Sequence, residues 1–311
     1  MSGPGDILIV GEPTDPHVEA VMGDLDPGRT VVIDAESLAR HTYLLTETGL
    51  ELSDGRGSFC SVGSRGWVRR LAPADWGHGH PIGSHPAVAQ AAAVSLIAGI
   101  ARVPGIDWLT PIDPLLIAES KLVQIQAATG LGIRSPRTVV TSSRELAERE
   151  LGSRIVIKPL GPGHFTAPDD TAAVVYATPV DLRDPDFSDL GPTPFLLQEQ
   201  IPARTHLRVV TVGEACWVAE LSADGLPLDW RAEASAHHSF RAARATAAGV
   251  IHAAPALARK LGLGYSSQDW ILTPDNDEVL LDVNPAGQWL FLPEPIGSEV
   301  ARAIASWLSG G

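Results

Sequence analysis

Short apolar runs alternate with helical patterns along the first hundred residues. Residues 6–13 and 30–34 predict two strands separated by helical sequence, because β-branched and large apolar residues fill them. Residues 48–62 predict a β-hairpin that turns at Asp54–Gly55. A long apolar stretch at 85–101 predicts a helix. These elements indicate that the chain begins as an α/β domain.

The middle of the chain continues this alternation. A helical pattern runs from about Pro114 to Thr129, and a short helix is predicted at 143–151. Two compact apolar runs, RIVIKPL at 154–160 and FLLQEQI at 195–201, are typical of buried strands. The pattern contains no internal repeat.

The last third of the chain predicts a second hairpin and two further helices. The hairpin covers 206–221 and turns at Gly213–Glu214. Helical sequence resumes at 241–261, and an amphipathic helix closes the chain at 297–308.

The segment Gln268–Asn284 combines two strand-forming runs with turn residues between them. Folding it symmetrically about the Asp275–Asn276 bond places Asp269 opposite Asp282, and the strand period of two puts Asn284 on the same face. Two carboxylates and an amide carbonyl are oxygen ligands that suit Mg²⁺. The segment therefore predicts a metal site, and the competing interpretation is that these are ordinary turn or edge residues.

Composition describes a globular protein without an affinity for polyanions. The 311 residues carry a net charge of −14, with 44% hydrophobic and 19% charged residues. The negative charge argues against binding to nucleic acid or to an anionic membrane surface. Two cysteines, Cys60 and Cys216, provide no disulfide framework. No stretch approaches the ~20 apolar residues of a membrane span, so we expect a cytoplasmic protein.

Four cations stand where a bound triphosphate could use them: Lys121, Lys158, Arg208 and Arg231. Taken singly, such a cation is more often an ordinary surface charge. Lys158 is the exception, because it lies in the apolar run IVIKPL, where an unpaired ammonium is costly to bury. The loop Gly161-Pro162-Gly163 follows it and allows close approach of backbone N–H groups to phosphate.

The common nucleotide, hydrolase and redox motifs are missing. The sequence contains no G-x-x-x-x-G-K-[ST] and no complete G-x-G-x-x-G. It also contains no H-E-x-x-H, G-x-S-x-G or C-x-x-C, which argues against a zinc protease, an α/β-hydrolase and a redox enzyme. A nucleotide site would have to be built in another way.

Taken in order, these residues resemble the ATP-grasp superfamily, and most closely the microviridin-type (graspetide) ligases that cyclise ribosomally made peptides. The resemblance covers nearly the whole chain from residue 67, and the C-terminal third is its most specific part. The segments that carry it are WVRR at 67–70, SKLVQIQAATGLGIRSPRTVVT at 120–141, IVIKPL at 155–160, LQEQIPARTHLRVV at 197–210, LDWR at 228–231 and LGLGYSSQDWILTPDNDEVLLDVNPAGQW at 261–289.

The resemblance implies an α/β ATP-grasp fold with ATP and Mg²⁺ as cofactors. Its three parts would be an N-terminal pre-ATP-grasp α/β domain at 1–110, a small central lid subdomain at 111–195 and a C-terminal mixed-sheet subdomain at 196–311. The implied site residues are Lys121 and Lys158 on the phosphates, Gln198, Glu199, Gln200 and Ile201 as an adenine hinge acting largely through backbone groups, Arg208 and Arg231 on the phosphates and acyl-phosphate, and Asp269, Asp282 and Asn284 on Mg²⁺.

The chain departs from the family pattern at two of these positions. His206 stands where the family usually has an acidic residue that contacts the nucleotide ribose. Asp282 stands where the middle metal ligand is usually Glu. A neutral imidazole still hydrogen-bonds a hydroxyl, and a shorter carboxylate shifts the metal by about one methylene or admits a water, so altered affinity is expected rather than loss.

The resemblance implies ATP-dependent ligation of a carboxylate to an amine or alcohol through an acyl-phosphate. The substrate would be a precursor peptide with leader and core, and a lid at about 135–195 would close over the intermediate. Arg65, Arg69 and Arg70 around Trp67 form a candidate basic patch for an acidic peptide, with an exposed charged turn as the alternative. The adjacent pair His237 and His238 either orients substrate or is simply solvated.

Two other functions remain open at this stage. One is a small-molecule carboxylate–amine ligase of the glutathione-synthetase kind, which shares the ATP site and needs no leader groove. The other is a non-catalytic nucleotide-binding or partner-binding protein, for which His206 and Asp282 are the indications. Apolar residues of the first domain that look exposed, together with family precedent, favour a homodimer.

Overall fold

A computed structural model describes most of the chain. The described residues are 6–53, 58–73, 76, 79–161, 164–166, 172–184, 195–243 and 248–311. The loop residues Pro162 and Gly163 and the predicted hairpin turn at Asp54–Gly55 lie outside these ranges.

The chain begins with a four-stranded parallel sheet of order β2-β1-β6-β7. Its strands are β1 (Ile7–Val10), β2 (Thr30–Ile33), β6 (Ser64–Val68) and β7 (Ile106–Trp108). All four residues of β1 are buried, because helices cover both faces of a parallel sheet. One face packs on α1 (Pro16–Met22) and the C-terminal helix α7 (Ile296–Ser309), and the other packs on α2 (His85–Ile100).

A small antiparallel sheet follows β2. It consists of β3 (Thr42–Thr46), β4 (Gly49–Ser53) and β5 (Ser58–Cys60). The pairing of β4 with β5 confirms the predicted hairpin, whereas β3 and β6 were not predicted from the sequence pattern.

The central part of the chain forms a second four-stranded sheet, of order β12-β9-β13-β8. Its strands are β8 (Thr138–Val140), β9 (Arg154–Pro159), β12 (Thr178–Asp181) and β13 (Phe195–Glu199), and α5 (Arg144–Leu151) packs on it. A two-stranded unit of β10 (His164–Thr166) and β11 (Ala172–Val174) lies between β9 and β12 in the sequence.

The C-terminal part forms a five-stranded antiparallel sheet of order β16-β15-β14-β17-β18. Its strands are β14 (Thr205–Val212), β15 (Ala215–Ser222), β16 (Arg241–Ala242), β17 (Tyr265–Leu272) and β18 (Glu278–Asn284). One face packs on α4 (Lys121–Gly130) and α6 (Ala248–Lys260), and the other packs on α7, which joins it to the first sheet. Strand β18 is an edge strand.

Two predicted helices differ from those observed. The single helix predicted from Pro114 to Thr129 is wrong, because α3 (Ile112–Ala118) ends before α4 begins. Ser120 between them has an extended backbone, with ψ of 113°, and makes Lys121 the first residue of α4. The helix predicted at 241–261 starts later, at Ala248, because residues 241–242 pair with β15 instead.

The predicted opposition of Asp269 and Asp282 is confirmed, but the turn that produces it differs from the symmetric one. Leu272 pairs with Glu278, which centres the turn on Asp275 and not on the Asp275–Asn276 bond. The register then shifts by one residue at a β-bulge, because Trp270 pairs with Leu280 and Asp269 pairs with Asp282. Leu281 is left without a partner, and the predicted pairing of Asp269 with Asp282 results. Asn276 has a φ of 68° and closes the turn with an N–H to Thr273 O bond of 2.9 Å.

Candidate functional site

A cleft of about 380 Å³ lies between the central sheet and the C-terminal sheet. Most of the site residues predicted from the sequence line it. These residues are Lys121, Lys158, Gln198, Glu199, Gln200, Ile201, His206, Arg231, Asp269 and Asp282. Arg208 and Asn284 are not among its lining residues. Gly161 lines the same cleft.

Asp269 and Asp282 lie side by side on β17 and β18, and Arg208 on β14 continues the row. Arg208 Nη1 donates to Asp269 Oδ1 at 2.9 Å, and Lys121 Nζ lies 3.7 Å from Asp282 Oδ1. Cations therefore flank both carboxylates, one on each side of the pair.

The donor atoms fit a magnesium ion that shares its coordination with phosphate. Asp282 Oδ1 is buried and has no hydrogen-bond partner, which is costly for a carboxylate unless a cation completes its surroundings. Asn284 is exposed, and its Oδ1 accepts from Ala286 N at 3.0 Å, leaving a second lone pair. Among the residues described, no cluster of three or more His, Cys, Asp or Glu could hold a metal alone. Phosphate oxygens would have to supply part of the shell.

Lys158 reaches across the cleft from the central sheet to β18. Its Nζ donates to Leu281 O at 3.4 Å, and Leu281 is the residue that the β-bulge leaves unpaired. Burial lowers the pKa of Lys158, Lys121 lowers it further, and the charges of Asp282 and Asp269 act in the opposite direction. The bulge thus leaves the Leu281 carbonyl free to accept a hydrogen bond from Lys158.

Arg231 approaches the cleft as one member of a bidentate pair with Asp229. Its Nε and Nη2 donate to Asp229 at 2.8 Å and 2.6 Å, and 48% of its side chain is exposed. Burial alone would raise the pKa of Asp229, but the bonds from Arg231 outweigh it and lower that pKa. Asp229 also accepts from Ala177 N at 3.1 Å, which connects the segment before β12 to the C-terminal part.

Asp229 was not singled out from the sequence. The available signal was the spacing Asp-x-Arg, in which an Asp caps the turn that carries the arginine.

Arg208 shares a sheet face with Asp269 and His206 but is not among the residues that line the cleft. It is buried, its Nη2 donates to Gln288 O at 3.0 Å, and its guanidinium lies 5.8 Å from the Phe291 ring centroid. In this arrangement its charge is shared with Asp269 and with the loop that follows Asn284.

The predicted adenine hinge lies at the end of β13. Gln198 donates from Nε2 to Thr138 Oγ1 at 3.0 Å. The Glu199 carboxylate accepts from Arg137 Nε at 2.9 Å and from its backbone N at 3.0 Å. Both side chains are thus bound to neighbouring protein groups, while Gln200 and Ile201 follow the strand and line the cleft.

His206 lies on β14 in the floor of the cleft and is 6% exposed. Burial lowers the pKa of its imidazole, against the raising effect of Asp269 and Asp229. A neutral ring that offers one donor and one acceptor therefore faces the cleft at neutral pH.

Arg69 is buried in a polar cluster and forms no part of an exposed basic patch. Its Nε lies 3.2 Å from Asp15 Oδ2, and it donates to Ala286 O. His17 Nδ1 lies 3.0 Å from Asp15 Oδ1, and His17 Nε2 accepts from Trp289 N at 3.2 Å. The cluster therefore holds the loop at 285–289, which follows β18, to the first parallel sheet and α1.

The rest of the predicted patch is buried or half-buried, as Arg70 is, and one residue of the histidine pair is exposed. Arg65 donates to Trp307 O and lies 5.1 Å from the Trp307 ring centroid, and Trp67 is 2% exposed. His237 packs edge-on against Trp230 at 4.9 Å between ring centroids, whereas His238 is exposed. His237 thus belongs to an aromatic cluster beside Arg231.

Comparison with solved structures identifies the fold. Macrocyclase MdnC from Microcystis aeruginosa MRC, bound with precursor peptide MdnA, superimposes with a TM-score of 0.80 at 23% identity, covering 98% of this chain and 100% of that one. A RiPP-associated ATP-grasp ligase from Chryseobacterium gregarium, in complex with ADP and a leader and core peptide, gives 0.83 at 20% identity, covering 98% and 96%. ATP-grasp ligase PsnB, complexed with minimal precursor, Mg and ADP, gives 0.72 at 18% identity, covering 98% of each chain.

These similarities show that the chain has the ATP-grasp fold over nearly its whole length. No protein-family model matches the sequence, and no curated protein matches it. Among the residues that the structure describes, no helix has the length and apolar character needed to cross a bilayer.

Proposed function

We propose that this protein is an ATP-dependent ligase that crosslinks side chains of a ribosomally made precursor peptide. The observation that carries the proposal is the cleft between the two sheets, in which Lys121, Lys158 and Arg231 face the paired Asp269 and Asp282. Clustered cations beside two adjacent carboxylates match the needs of phosphoryl transfer, which depends on charge neutralisation and alignment. The peptide substrate is supported by similar folds whose structures contain precursor, leader or core peptides.

The reaction requires no side-chain nucleophile. A substrate carboxylate oxygen attacks the γ-phosphorus of ATP, and the bond from that phosphorus to the bridging oxygen of ADP breaks. An amine or hydroxyl then attacks the acyl carbon, the bond to phosphate breaks, and the proton of the nucleophile passes to phosphate or water. Mg²⁺ held at Asp269, Asp282 and Asn284 would supply charge neutralisation for the phosphates.

The residues of the chain divide the remaining work. Asp269 and Asp282, with Asn284, would hold the metal, while Lys121 and Lys158 bind phosphate oxygens from α4 and from the central sheet. Arg231 would stabilise charge on the transferred group, oriented by its two bonds to Asp229. Gln200 and Ile201 would contact adenine through backbone groups, and His206 would contact the ribose. Arg208 would act behind Asp269, which it contacts directly.

Co-expression with a precursor peptide encoded beside the gene tests the proposal. Mass spectrometry should find a product that has lost one water for each bond formed. Lys158→Ala and Asp282→Ala should abolish this product, whereas Lys260→Ala, at an exposed lysine of α6, should leave it unchanged. A crosslinked peptide made equally well by Lys158→Ala would contradict the site. ATP turnover with small-molecule acids and none with the peptide would favour the glutathione-synthetase-like alternative, for which no structural feature argues.

The proposal includes a homodimer formed through α2. This helix is apolar on all sides, a pattern that normally belongs to a buried helix, yet Val88 is 60% exposed and Ile82 just before it is fully exposed. Light scattering should give the mass of two chains, and Val88→Glu should give that of one. A monomeric wild-type protein would contradict this part of the proposal.

A further inference from the structure

Lys121 is not the only residue of helix α4 that bears on the cleft; Gln124 is a second one. One turn after Lys121, the side chain of Gln124 points from the same face of the helix towards the outer edge of β18. Gln124 is 4% exposed, and it is a long polar residue on a helix whose Ala127 and Ala128 pack in one apolar cluster with Leu280 and Val283. A buried amide needs partners for two N–H donors and a carbonyl acceptor.

All of these groups are used, and two of the three bonds go to one residue. Gln124 Nε2 donates to Ala118 O at 2.7 Å and to Val283 O at 2.7 Å. Its Oε1 accepts from Val283 N at 2.9 Å. The side-chain amide therefore binds both backbone groups of Val283, as a neighbouring strand would at a hydrogen-bonded pair.

The contact with Gln124 is made at Val283, between two residues that are proposed to bind the metal. Val283 lies between Asp282 and Asn284, and its own side chain points into the core while theirs lie on the opposite face. β18 is an edge strand of its sheet, and within the described residues no strand pairs with its outer side, although Leu280 N donates to Arg134 O at 2.9 Å. On the inner side, the bulge at Leu281 interrupts the ladder with β17 just before Asp282. The ladder alone therefore constrains this part of β18 less than a regular pairing would.

We propose that Gln124 is a positioning residue that fixes the backbone between Asp282 and Asn284. It thereby determines the positions of the side-chain oxygens with which these two residues would bind the metal. The metal part of this inference rests on the proposed function, whereas the fixing of the strand does not. Lys121 is on the same helix as Gln124, and its Nζ lies 3.7 Å from Asp282 Oδ1. Helix α4 therefore places a cation beside Asp282 through Lys121 and positions the backbone next to Asp282 through Gln124.

Two variants and a matched control test the inference. Gln124→Met keeps the length of the side chain and removes all three hydrogen bonds. Gln124→Glu keeps the acceptor for Val283 N and loses both donors. Gln126→Met makes the same change on the exposed face of the same helix. The readouts are hydrogen exchange of the peptide that contains Val283, and the Mg²⁺ concentration needed for half-maximal ADP binding, measured by calorimetry.

In Gln124→Met we expect the amides around Val283 to exchange at least about tenfold faster. The Mg²⁺ requirement should rise about 10–100-fold, as for lost outer-shell partners of metal ligands. Gln124→Glu should exceed Gln124→Met in both readouts, because its carboxylate faces the carbonyl oxygens of Ala118 and Val283 without a donor. Gln126→Met should match the wild type in both readouts. If Gln124→Glu does not fold, the comparison of Gln124→Met with Gln126→Met decides.

Wild-type exchange and a wild-type Mg²⁺ requirement in a folded Gln124 variant would overturn the inference. So would accelerated exchange with an unchanged Mg²⁺ requirement, because the contact would then stabilise the strand without serving the metal. If the wild-type protein itself binds no ADP with Mg²⁺, the proposed function fails. The exchange measurement would still decide whether Gln124 fixes the strand.

Discussion

Two arginine–aspartate pairs, Arg69–Asp15 and Arg231–Asp229, look alike in composition and differ in surroundings. Both carboxylates are almost fully buried. The Arg69 side chain is 2% exposed and lies between the N-terminal domain and the loop at 285–289. The Arg231 side chain is 48% exposed and faces the cleft.

The difference separates an arginine that supports the fold from one that can bind a ligand. The buried charge of Arg69 is paired with Asp15, and its guanidinium also donates to Ala286 O, so its removal leaves Asp15 without its cation in a dry environment. The guanidinium of Arg231 is held by Asp229 on one side and is open to the cleft on the other. Solvent exposure, and not residue type or local sequence, distinguishes the two roles.

Replacing Arg69 should give the largest effect on stability. Arg69→Met keeps much of the side-chain volume and removes one partner of a buried ion pair, so we expect a loss of about 3–5 kcal/mol in the free energy of unfolding. Urea denaturation followed by tryptophan fluorescence measures it. The adjacent Arg70→Ala, at a half-buried residue, should cost less than about 1 kcal/mol. An Arg69→Met protein as stable as Arg70→Ala would contradict the structural role.

Replacing Arg231 should reverse this balance between stability and activity. Arg231→Ala leaves the buried Asp229 with a bond from Ala177 N and with water entering from the cleft, so the free energy of unfolding should fall by less than in Arg69→Met. ATP turnover with the peptide should fall about 10²–10³-fold, as expected when a group that stabilises transition-state charge is lost. Arg241→Ala, at an exposed arginine of β16, is the control for a general effect of charge. Near-normal turnover in Arg231→Ala would remove this residue from the site.

The free energy of unfolding should depend on pH through His17, which lies beside Arg69. Burial lowers the pKa of His17 below the 6.5 of a free imidazole, with Arg69 adding to the decrease and Asp15 opposing it. The unfolded chain therefore binds more protons than the folded one below about pH 6.5, and the free energy of unfolding should decrease as the pH falls through that value. His17→Gln should show a shallower decrease between pH 6.5 and 5 in the same denaturation assay. Identical pH profiles for the two proteins would contradict this contribution.

Contacts within a short segment were predictable from the residues themselves, whereas the convergence of distant segments on one cleft was predictable only through the resemblance to a known family. The opposition of Asp269 and Asp282 follows from a hairpin, in which turn chemistry and strand period decide the outcome. The bulge at Leu281 could not be predicted, because two registers of the turn fit the same residues. Lys158 was recognisable because a lysine in an apolar run requires an explanation.

The residues that support the site could not be predicted, because their partners lie far away in the sequence. Gln124 contacts Val283 across 159 positions, and Arg69 contacts His17 across 52. No local pattern distinguishes Gln124 from Gln126, or Arg69 from Arg70, since only the packing of helix α4 and sheet β1–β6 decides which of them is buried. The break before α4 depends likewise on one extended residue, Ser120.

Magnesium-dependent binding of ADP to the cleft is the measurement on which the functional assignment depends. Calorimetry should detect binding to the wild-type protein with Mg²⁺, and affinity reduced at least about tenfold in Lys158→Ala and Asp282→Ala. Lys260→Ala should bind as the wild type does. Equal ADP affinity in all four proteins, or binding that is unchanged when Mg²⁺ is removed, would contradict the assignment of the cleft as a magnesium–nucleotide site.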